Sequence, residues 1–526
     1  TARSPFGGSV PNGGGRDVLH GDDGDDRITV DAATWASVAG GPGSDTLTID
    51  RSGGPETFTF VPGARFRFAD GSTVDGIEHL SVSLEGDGHD IAVAFARAVA
   101  SRVVIDLDGS GQNRVTLDFS RVDQPVHGTA TVDGRIGAEV RGVHTLAIVG
   151  GDDDDRLGAF LLDWAQRTLK GGGGDDHLTG TSWTTLIDGG TGDDTVWARH
   201  GEPARYVGGA GVDTLILEPV RLLSDTAVVF AAGKRGSLSD GTRFDGFETL
   251  SYTGSSFSDH LTVRLDQRSV GADTLDGGRG SDTLVLDLSR LKEAVAWVAP
   301  GKADPPHVDG IVRTADGRLA VTLDAWEEIT LRLGRGADAV LSPHDAVRID
   351  GNGGDDVIRG GDATVRGGAG DDVLDTGAAL LGGRGDDALS AAPFMDGGPG
   401  NDALTAGRSL DPQLMLGGQG RDVLVGGQGD DTLDGGRGND TLGGGYGADL
   451  FVFAGSRFGR DTVTDLDPDE EDAIDLSAVS QIKDFEDLLD NHVTVARNAV
   501  VIRAGKNTIT LEGLGAADLS ADLFQF

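Results

Sequence analysis

The sequence predicts an all-β solenoid with inserted β-hairpins and a β-rich cap at its C-terminal end. Three observations lead to this fold class. Glycine occurs 86 times in 526 residues and aromatic residues make up only 5%, so the bulky side chains that fill a wide globular core are scarce. Short apolar segments alternate with glycine-rich turns, as strands do. A repeat of nine residues begins at Gly417, and a fixed period is typical of repeat architectures.

Charge and cysteine content restrict what can hold such a chain together. Acidic residues number 86 against 44 basic ones, which gives a formal charge of −42, and a chain so charged repels itself unless cations neutralise it. The same charge argues against nucleic acid as a partner. There is no cysteine, which excludes disulfides and thiolate metal sites. Bonds between carboxylates and metal ions remain as the candidate.

The repeat is clearest where four nonapeptides follow one another without a break. They read GGQGRDVLV, GGQGDDTLD, GGRGNDTLG and GGYGADLFV, from Gly417 to Val452. The shared pattern is G-G-x-G-x-D-x-U-x, in which U is a large apolar residue. The three or four residues after each aspartate suffice for a short strand that directs U to one face. Two nonapeptides are therefore expected to make one coil.

Each fixed position of the pattern suits a metal-binding turn. Glycine permits positive φ angles and lets carbonyl oxygens converge where a Cβ would block them. Aspartate adds a hard carboxylate, and Ca²⁺ takes six to eight oxygen ligands, more than one turn supplies. We therefore expect Ca²⁺ ions shared between neighbouring turns. The expected positions are Gly418, Gly420, Asp422, Gly427, Gly429, Asp431, Gly436, Gly438, Asp440, Gly445, Gly447 and Asp449.

Single copies of the pattern occur upstream with variable fidelity. Their sixth-position aspartates, also expected to bind metal, are Asp17, Asp26, Asp45, Asp176, Asp194, Asp213, Asp282, Asp356, Asp372, Asp387 and Asp402. Asp273 and Asp338 fit only the second half of the pattern. One isolated glycine–aspartate pair indicates no more than a β-turn, but four copies in register support a metal-binding array.

These repeats resemble those of the repeats-in-toxin (RTX) calcium-binding family, whose members are secreted. The resemblance rests on the four nonapeptides in register and on the upstream matches. It implies a parallel β-roll in which Ca²⁺ lies between consecutive turns, held by the sixth-position aspartate and by turn carbonyls.

Longer modules separate the isolated nonapeptides in the first part of the chain. One runs from Gly40 to Val93, another from Gly208 to Val263, and a third from Gly277 to Ser342. Inside them, Val74–Leu84 and Phe244–Thr253 show the alternation of strands. We therefore expect four regions: a repeat segment at 1–39, long modules with hairpin inserts at 40–350, a tandem roll at 351–453, and a cap at 454–526.

The C-terminal region changes in composition after Phe453 and is expected to cover the last coil, as solenoids require. Alternation predicts strands at Val493–Val495, Val500–Ile502 and Thr508–Leu511, and a short helix at Phe485–Leu489. The segment also resembles the C-terminal region of RTX proteins, which implies an uncleaved type I secretion signal. The first residues lack the pattern of a secretory signal peptide.

No catalytic motif stands out in the sequence. Neither H-E-x-x-H nor G-x-S-x-G is present, and we expect no enzymatic activity. The expected function is a secreted calcium-binding protein with a structural role at the cell surface, as a surface-layer, matrix or adhesion component. Expected partners are calcium, the type I secretion machinery, and either further copies of the chain or a surface glycan. Two alternatives are the non-catalytic or partly retained portion of a secreted RTX hydrolase or toxin, and a module that binds a glycan or partner.

Overall fold

A computed structural model gives the structure of the chain and divides it into two compact units, Thr1–Phe257 and Ser258–Phe526. Each unit is described by itself. The described residues are 2–3, 17–30, 35–52, 56–68, 70–85, 88–95, 101–108, 112–122, 124, 126–128, 131–132, 136–141, 144–158, 166–181, 183–199, 203–218, 226–267, 269–298, 308–341, 347–360 and 364–526.

The first unit consists of three sheets in which most neighbouring strands are parallel. The first sheet contains Arg27–Val30, Thr46–Ser52, His79–Glu85, Ser101–Asp108, Ile136–Arg141, Thr131–Val132, His127–Gly128, Arg156–Gly158, His177–Thr179, Thr195–Arg199, Thr214–Glu218 and Thr249–Thr253. The second contains Thr57–Phe60, Asp90–Ala94, Arg114–Asp118, Thr145–Val149, Gln166–Gly173, Thr184–Thr191, Arg205–Ala210, Arg243–Asp245, Gly236–Leu238 and Thr226–Ala231. A small third sheet contains Ala2–Arg3, Asp17–His20, Trp35–Ala39, Thr73–Asp75 and Phe66–Arg67.

The second unit has two sheets, and the chain enters them in turn. The first contains Gly271–Asp276, Leu319–Trp326, Val308–Thr314, Val295–Val298, Ala339–Leu341, Val357–Arg359, Val373–Asp375, Ala388–Ser390, Ala403–Thr405, Val423–Gly427, Thr441–Gly445, Arg460–Val463, Asn507–Glu512, Ala499–Ala504 and Val493–Ala496. The second contains Asp259–Arg264, Thr283–Asp287, Glu328–Arg332, Val347–Asp350, Thr364–Ala369, Ala379–Arg384, Phe394–Pro399, Leu414–Gly420, Thr432–Gly438, Leu450–Val452, Ala473–Asp475 and Phe524–Gln525.

This architecture confirms the predicted all-β roll with parallel strands. Leu424 pairs in register with Leu442 in one sheet, and Leu433 pairs with Phe451 in the other. All four side chains are buried, so the U position of each nonapeptide fills the narrow space inside the roll. One apolar residue per strand suffices because the coil is flat, which explains why a chain poor in aromatic residues can still bury a core.

Antiparallel hairpins interrupt the parallel sheets, as the long modules predicted. In the second unit Val295–Val298, Val308–Thr314 and Leu319–Trp326 form a three-stranded meander, which buries Trp297 and Trp326. In the first unit Thr226–Ala231, Gly236–Leu238 and Arg243–Asp245 form another. Each insert thus brings its own aromatic core.

The predicted strands Val74–Leu84 and Phe244–Thr253 are each divided in two by a short break. Thr73–Asp75 and His79–Glu85 are separated at Gly76, which has φ +62°. Arg243–Asp245 and Thr249–Thr253 are separated at Gly246, with φ +76°. Across each break the buried apolar residues are three residues apart, as Phe244, Phe247 and Leu250 are, so the alternation of the two strands stops at the break.

The cap after the last coil is built as predicted from strands with little helix. Val493–Ala496, Ala499–Ala504 and Asn507–Glu512 form an antiparallel meander, and Asn507–Glu512 pairs in parallel with Arg460–Val463. Helical segments are short: Pro468–Glu470, Phe485–Asp487, Leu488–His492, Ala516–Asp518 and Ala521–Leu523. Among the described residues, no helix has the length and apolar character needed to cross a bilayer.

Candidate metal centre

The sixth-position aspartates form rows along the turns, one aspartate per coil. The Asp422 Oδ1 atom accepts a hydrogen bond from the Asp402 backbone N–H at 2.8 Å, and Asp440 Oδ1 accepts one from the Asp422 N–H at 2.9 Å. We call these aspartates the inner row. In the second unit this row connects Asp338, Asp356, Asp372, Asp387, Asp402, Asp422, Asp440 and Asp461.

Shorter inner rows with the same contact lie along other turns. On the opposite edge of the second unit, the row connects Asp431, Asp449 and Asp472, and a separate contact joins Asp259 to Asp282. In the first unit the contact joins Asp26 to Asp45, and it connects Asp155, Asp176, Asp194 and Asp213. In every case the donor lies in the earlier coil, so the carboxylate of each coil fixes the turn before it.

In most of these aspartates the second carboxylate oxygen is buried and has no hydrogen-bond partner. Such oxygens are costly to bury unless something positive meets them. They are the Oδ2 atoms of Asp26, Asp45, Asp176, Asp194, Asp213, Asp282, Asp356, Asp372, Asp387, Asp402, Asp422, Asp440 and Asp449.

At many of these turns, a backbone carbonyl of the next coil lies beside the Oδ2 atom above the first glycine. At Gly417, the Asp422 Oδ2 atom and the Gly435 carbonyl oxygen each lie 2.7 Å from the position that a Cβ would occupy. Gly426 has the same arrangement, with Asp431 Oδ2 and the Gly444 carbonyl. Two oxygens from adjacent coils therefore converge on one point, and only glycine leaves it free.

Burial raises the pKa of the inner-row carboxyls. It brings the pKa of Asp422 to about 6 and that of Asp387 to about 7, while Asp356 and Asp461 reach about 8. Burial is the largest cause, the backbone hydrogen bond opposes it, and carboxylates of neighbouring coils raise the pKa further. A cation near Oδ2 would reverse this effect by stabilising the ionised form.

The donor set fits a hard cation held mainly by the backbone. Within the described ranges no three acidic or histidine side chains gather into one metal cluster. These turns instead offer an aspartate Oδ2 from one coil and a carbonyl oxygen from the next, and oxygen is the ligand type that Ca²⁺ prefers. The inner-row aspartates and the carbonyls of the first glycines, such as Gly435 and Gly444, are the groups that would hold it.

The glycine positions differ in their reason for being glycine, which corrects the sequence interpretation. Positive φ occurs at Gly418, Gly420, Gly436, Gly445 and Gly447. It is absent from the first glycines, Gly417, Gly426, Gly435 and Gly444, and from Gly427, Gly429 and Gly438. The first position requires glycine because a Cβ there would meet the aspartate Oδ2. Lack of space, and not backbone freedom, is therefore the reason for glycine at this position.

Most of the predicted aspartates lie in the inner rows, and two require separate mention. Asp17 begins the strand Asp17–His20, but its side chain lies outside the part of the chain that the structure describes. Asp431 Oδ2 accepts a hydrogen bond from the Gly427 N–H at 2.8 Å. The Oδ2 atoms of Asp155, Asp338 and Asp472 also accept one from a backbone N–H. Whether each predicted residue binds metal remains a prediction.

Sequence reasoning missed three inner-row members, Asp259, Asp461 and Asp472, and left Asp155 open between metal binding and solvation. Their preceding turns lack the full glycine pattern, yet each is followed at the second position by a buried apolar residue, as in Asp461-Thr462-Val463 and Asp472-Ala473-Ile474. The D-x-U half of the pattern was therefore the better signal. Asp338, which fits only that half, also lies in the row.

A second row of polar side chains lies outside the first, at the fifth position of the turns. Asp355 Oδ1 accepts from the Asp371 N–H at 3.0 Å, and Asp371 Oδ1 accepts from the Asp386 N–H at 2.8 Å. We call this the outer row. Its hydrogen bonds run from the later coil to the earlier one, opposite to the inner row. This position often holds Asp or Asn, as at Asn401 and Asn439. The sequence pattern wrote it as x, an unrestricted position, and so did not record this preference.

Coil length varies along the inner row of the second unit. Asp422 and Asp440 are 18 residues apart, as two nonapeptides per coil predict. Asp356, Asp372, Asp387 and Asp402 are separated by 16, 15 and 15 residues. The opposite turn of these shorter coils is not a nonapeptide. At that turn a residue other than glycine has positive φ: Thr376 in one coil (φ +60°) and Ala391 in the next (φ +59°). The prediction of two nonapeptides per coil is therefore wrong for this stretch.

Comparison with known proteins agrees with this geometry. The family model for the RTX calcium-binding nonapeptide repeat (4 copies) matches residues 13–32, 168–182, 186–202, 269–287, 346–364 and 416–451. The chain therefore carries RTX nonapeptide repeats in these segments, and repeats of this kind bind Ca²⁺ at multiple sites.

The chain is also similar to solved structures. The crystal structure of extracellular lipase LipA from Serratia marcescens shares 15% sequence identity, with a TM-score of 0.21. The match covers 80% of this chain and 45% of the lipase, so the chain spans less than half of that protein's length. No curated protein sequence matches the chain.

Proposed function

We propose that the chain is a non-enzymatic structural component of a cell surface, assembled from calcium-stabilised coils. It folds where extracellular calcium, commonly about 10⁻³ M, suits weak extracellular sites. The type I secretion machinery exports it, and the C-terminal region holds the signal. The surface role is that of a layer, matrix or adhesive protein.

An exposed aliphatic column on the first sheet of the second unit supports this role. Val357, Val373, Ala388, Ala403 and Val423 lie in register on successive strands. Val357, Val373 and Val423 are 43%, 41% and 44% exposed. Exposed apolar groups in one row favour contact with another surface, and a repeating row suits an equally repetitive partner, such as a second copy of the chain.

Electron microscopy of the purified chain during a calcium titration tests the proposal, with circular dichroism on the same samples. We expect sheets or filaments to form once β-structure is complete. The variant V357T/V373T/V423T should fold at the same calcium concentration but assemble less, whereas V212T/V495T, which changes exposed valines elsewhere, should assemble normally. Single particles at all calcium concentrations would contradict the assembly role.

The same preparation distinguishes the alternatives. A hydrolase predicts turnover in a screen of polymer, ester and peptide substrates. A binding module predicts calcium-dependent signals on a glycan array without assembly. We expect neither substrate turnover nor glycan binding, because the buried carboxylates along the inner rows hold neighbouring coils together.

A further inference from the structure

Three junctions in the chain return it from a hairpin insert to the next coil, and they share one local structure. Each has a residue with positive φ, then a buried apolar residue, then a glutamate. The three junctions are Gly76-Ile77-Glu78, Gly246-Phe247-Glu248 and Ala325-Trp326-Glu327. Positive φ is costly for alanine, so its use at Ala325, with φ +57°, shows how firmly the turn is imposed.

Each junction glutamate occupies the place that an aspartate has elsewhere in the inner row. Glu78 Oε2 accepts a hydrogen bond from the Asp45 N–H at 2.8 Å. Glu248 Oε2 accepts from the Asp213 N–H at 2.9 Å. Glu327 Oε2 accepts from the Asp282 N–H at 2.7 Å. In uninterrupted coils the same N–H group donates to the Oδ1 of the next aspartate.

The carbonyl oxygen of the positive-φ residue completes the match. A Cβ added at Gly40 would overlap both the Gly76 carbonyl oxygen and Asp45 Oδ2. At Gly208 it would meet the Gly246 carbonyl oxygen and Asp213 Oδ2. These two groups converge as the carbonyl and carboxylate do in the nonapeptide turns, so the junction reproduces that arrangement with a shorter segment.

The third junction follows the same plan at Gly277, where a Cβ would overlap the Ala325 carbonyl oxygen. Asp45, Asp213 and Asp282 are fully buried, and their Oδ2 atoms have no hydrogen-bond partner. Each junction therefore places a carbonyl oxygen and a glutamate carboxylate next to an aspartate whose Oδ2 is buried and unpartnered.

We propose that Glu78, Glu248 and Glu327 are calcium ligands that close a metal site at the base of each hairpin insert. Each site would join the coil before the insert to the coil after it, across 33, 35 and 45 residues. Calcium then fixes the base of each hairpin as well as the stacking of the coils. The inference rests on calcium binding by the repeats and is independent of the proposed surface role.

Calcium stoichiometry of the full chain tests this assignment. The variant E78Q/E248Q/E327Q keeps a side-chain oxygen that accepts the backbone hydrogen bond but loses three carboxylates. The control E85Q/E328Q/E512Q makes the same charge change at exposed glutamates. We expect the junction variant to bind about three fewer ions near 10⁻³ M calcium, with wild-type circular dichroism in excess calcium. Stoichiometry and affinity equal to those of the control would overturn the proposal.

A local probe keeps the proposal testable if the triple variant folds poorly. Buried Trp326 directly precedes Glu327, so it can sensitise the luminescence of Tb³⁺ bound in place of calcium. The part of the Tb³⁺ emission that is lost on W326F substitution therefore measures metal bound at the third junction. We expect that Trp326-dependent emission to disappear in E327Q and to persist in E328Q. Its persistence in E327Q would refute the assignment whatever the state of the other sites.

Discussion

The two oxygens of an inner-row aspartate have separate tasks. In Asp387, Oδ1 accepts the Asp372 N–H at 2.8 Å, while Oδ2 is buried without a hydrogen-bond partner. The adjacent Asp386 is exposed, and hydrogen bonds from Asn401 hold its pKa below the usual value. Neighbouring carboxylates of one turn thus differ in environment, and only the buried one needs a cation.

This contrast predicts different effects of two neighbouring substitutions. Asp387→Asn should weaken calcium binding at its site about tenfold, or about 1.4 kcal/mol, because asparagine keeps the accepting oxygen and loses the charge. Asp386→Asn should leave calcium affinity unchanged. Isothermal calorimetry of the full chain measures both. An equal effect of the two variants would contradict the distinct roles of the inner and outer rows.

The raised pKa values predict how pH acts on the metal-free chain. In the folded state, burial raises the pKa of Asp176 and Asp356 from the ordinary 3.8 to about 8. Between these two pH values the folded chain therefore binds more protons than the unfolded chain. Raising pH through this range therefore destabilises the metal-free fold. We expect more β-structure at pH 5 than at pH 8 in metal-free buffer, measured by circular dichroism.

Saturating calcium should reverse that dependence, because protons and calcium compete for the same carboxylates. The calcium midpoint should rise as pH falls from 8 to 5. A metal-free chain with less β-structure at pH 5 than at pH 8 would show that other groups dominate.

At the scale of elements, the glycine turn is the part that tolerates least change. Gly354 has φ +115°, and a Cβ there would overlap the Gly336 carbonyl oxygen. The adjacent Gly353 lacks positive φ, and its Cβ would approach the Ala369 carbonyl oxygen only to 3.4 Å. Two glycines side by side therefore differ in what they permit.

We expect Gly354→Ala to lower thermal stability in saturating calcium, because left-handed backbone alone costs a side chain about 1–2 kcal/mol and the overlap adds to it. Gly353→Ala should have little effect. Differential scanning calorimetry compares the two directly. Equal melting temperatures would mean that the turn can relax around a methyl group.

Elements also show where sequence reasoning succeeds and where it stops. Leu424, Leu433, Leu442 and Phe451 were predicted as core because a strict period leaves one apolar residue per strand. The junction at Gly246 was not predicted, although the apolar residues Phe244, Phe247 and Leu250 are three apart there and interrupt the alternation. The turns at Thr376 and Ala391 were missed because their positive φ comes from the stacking of coils and leaves no glycine to mark it.

For the whole molecule, the ends of the array matter as much as its sites. The last coil of the second unit presents Thr441–Gly445 and Leu450–Val452 to the cap strands Arg460–Val463 and Ala473–Asp475. A solenoid without its terminal cover exposes strand edges and apolar side chains. The four-part domain division predicted from the sequence assigned this cover to 454–526, and that division remains a prediction.

Truncation after Ser456 should therefore raise the calcium concentration needed for folding and promote aggregation. Circular dichroism during calcium titration, with light scattering, measures both effects. A Gly-Ser insertion between Arg497 and Asn498, at a cap hairpin turn, should change neither, because hairpin turns accept insertions. Normal folding of the truncated chain would show that the cap is dispensable.

The unequal coils of the second unit also bear on how such a chain can change over generations. Between Asp356 and Asp402 the inner-row aspartates stay in register, although coil length changes from 16 to 15 residues. The next coil, from Asp402 to Asp422, has 20 residues. Gains and losses of codons can thus accumulate at the opposite turn without disturbing the aspartate row. Lineages of this protein should differ in length at that edge and agree in spacing at the other.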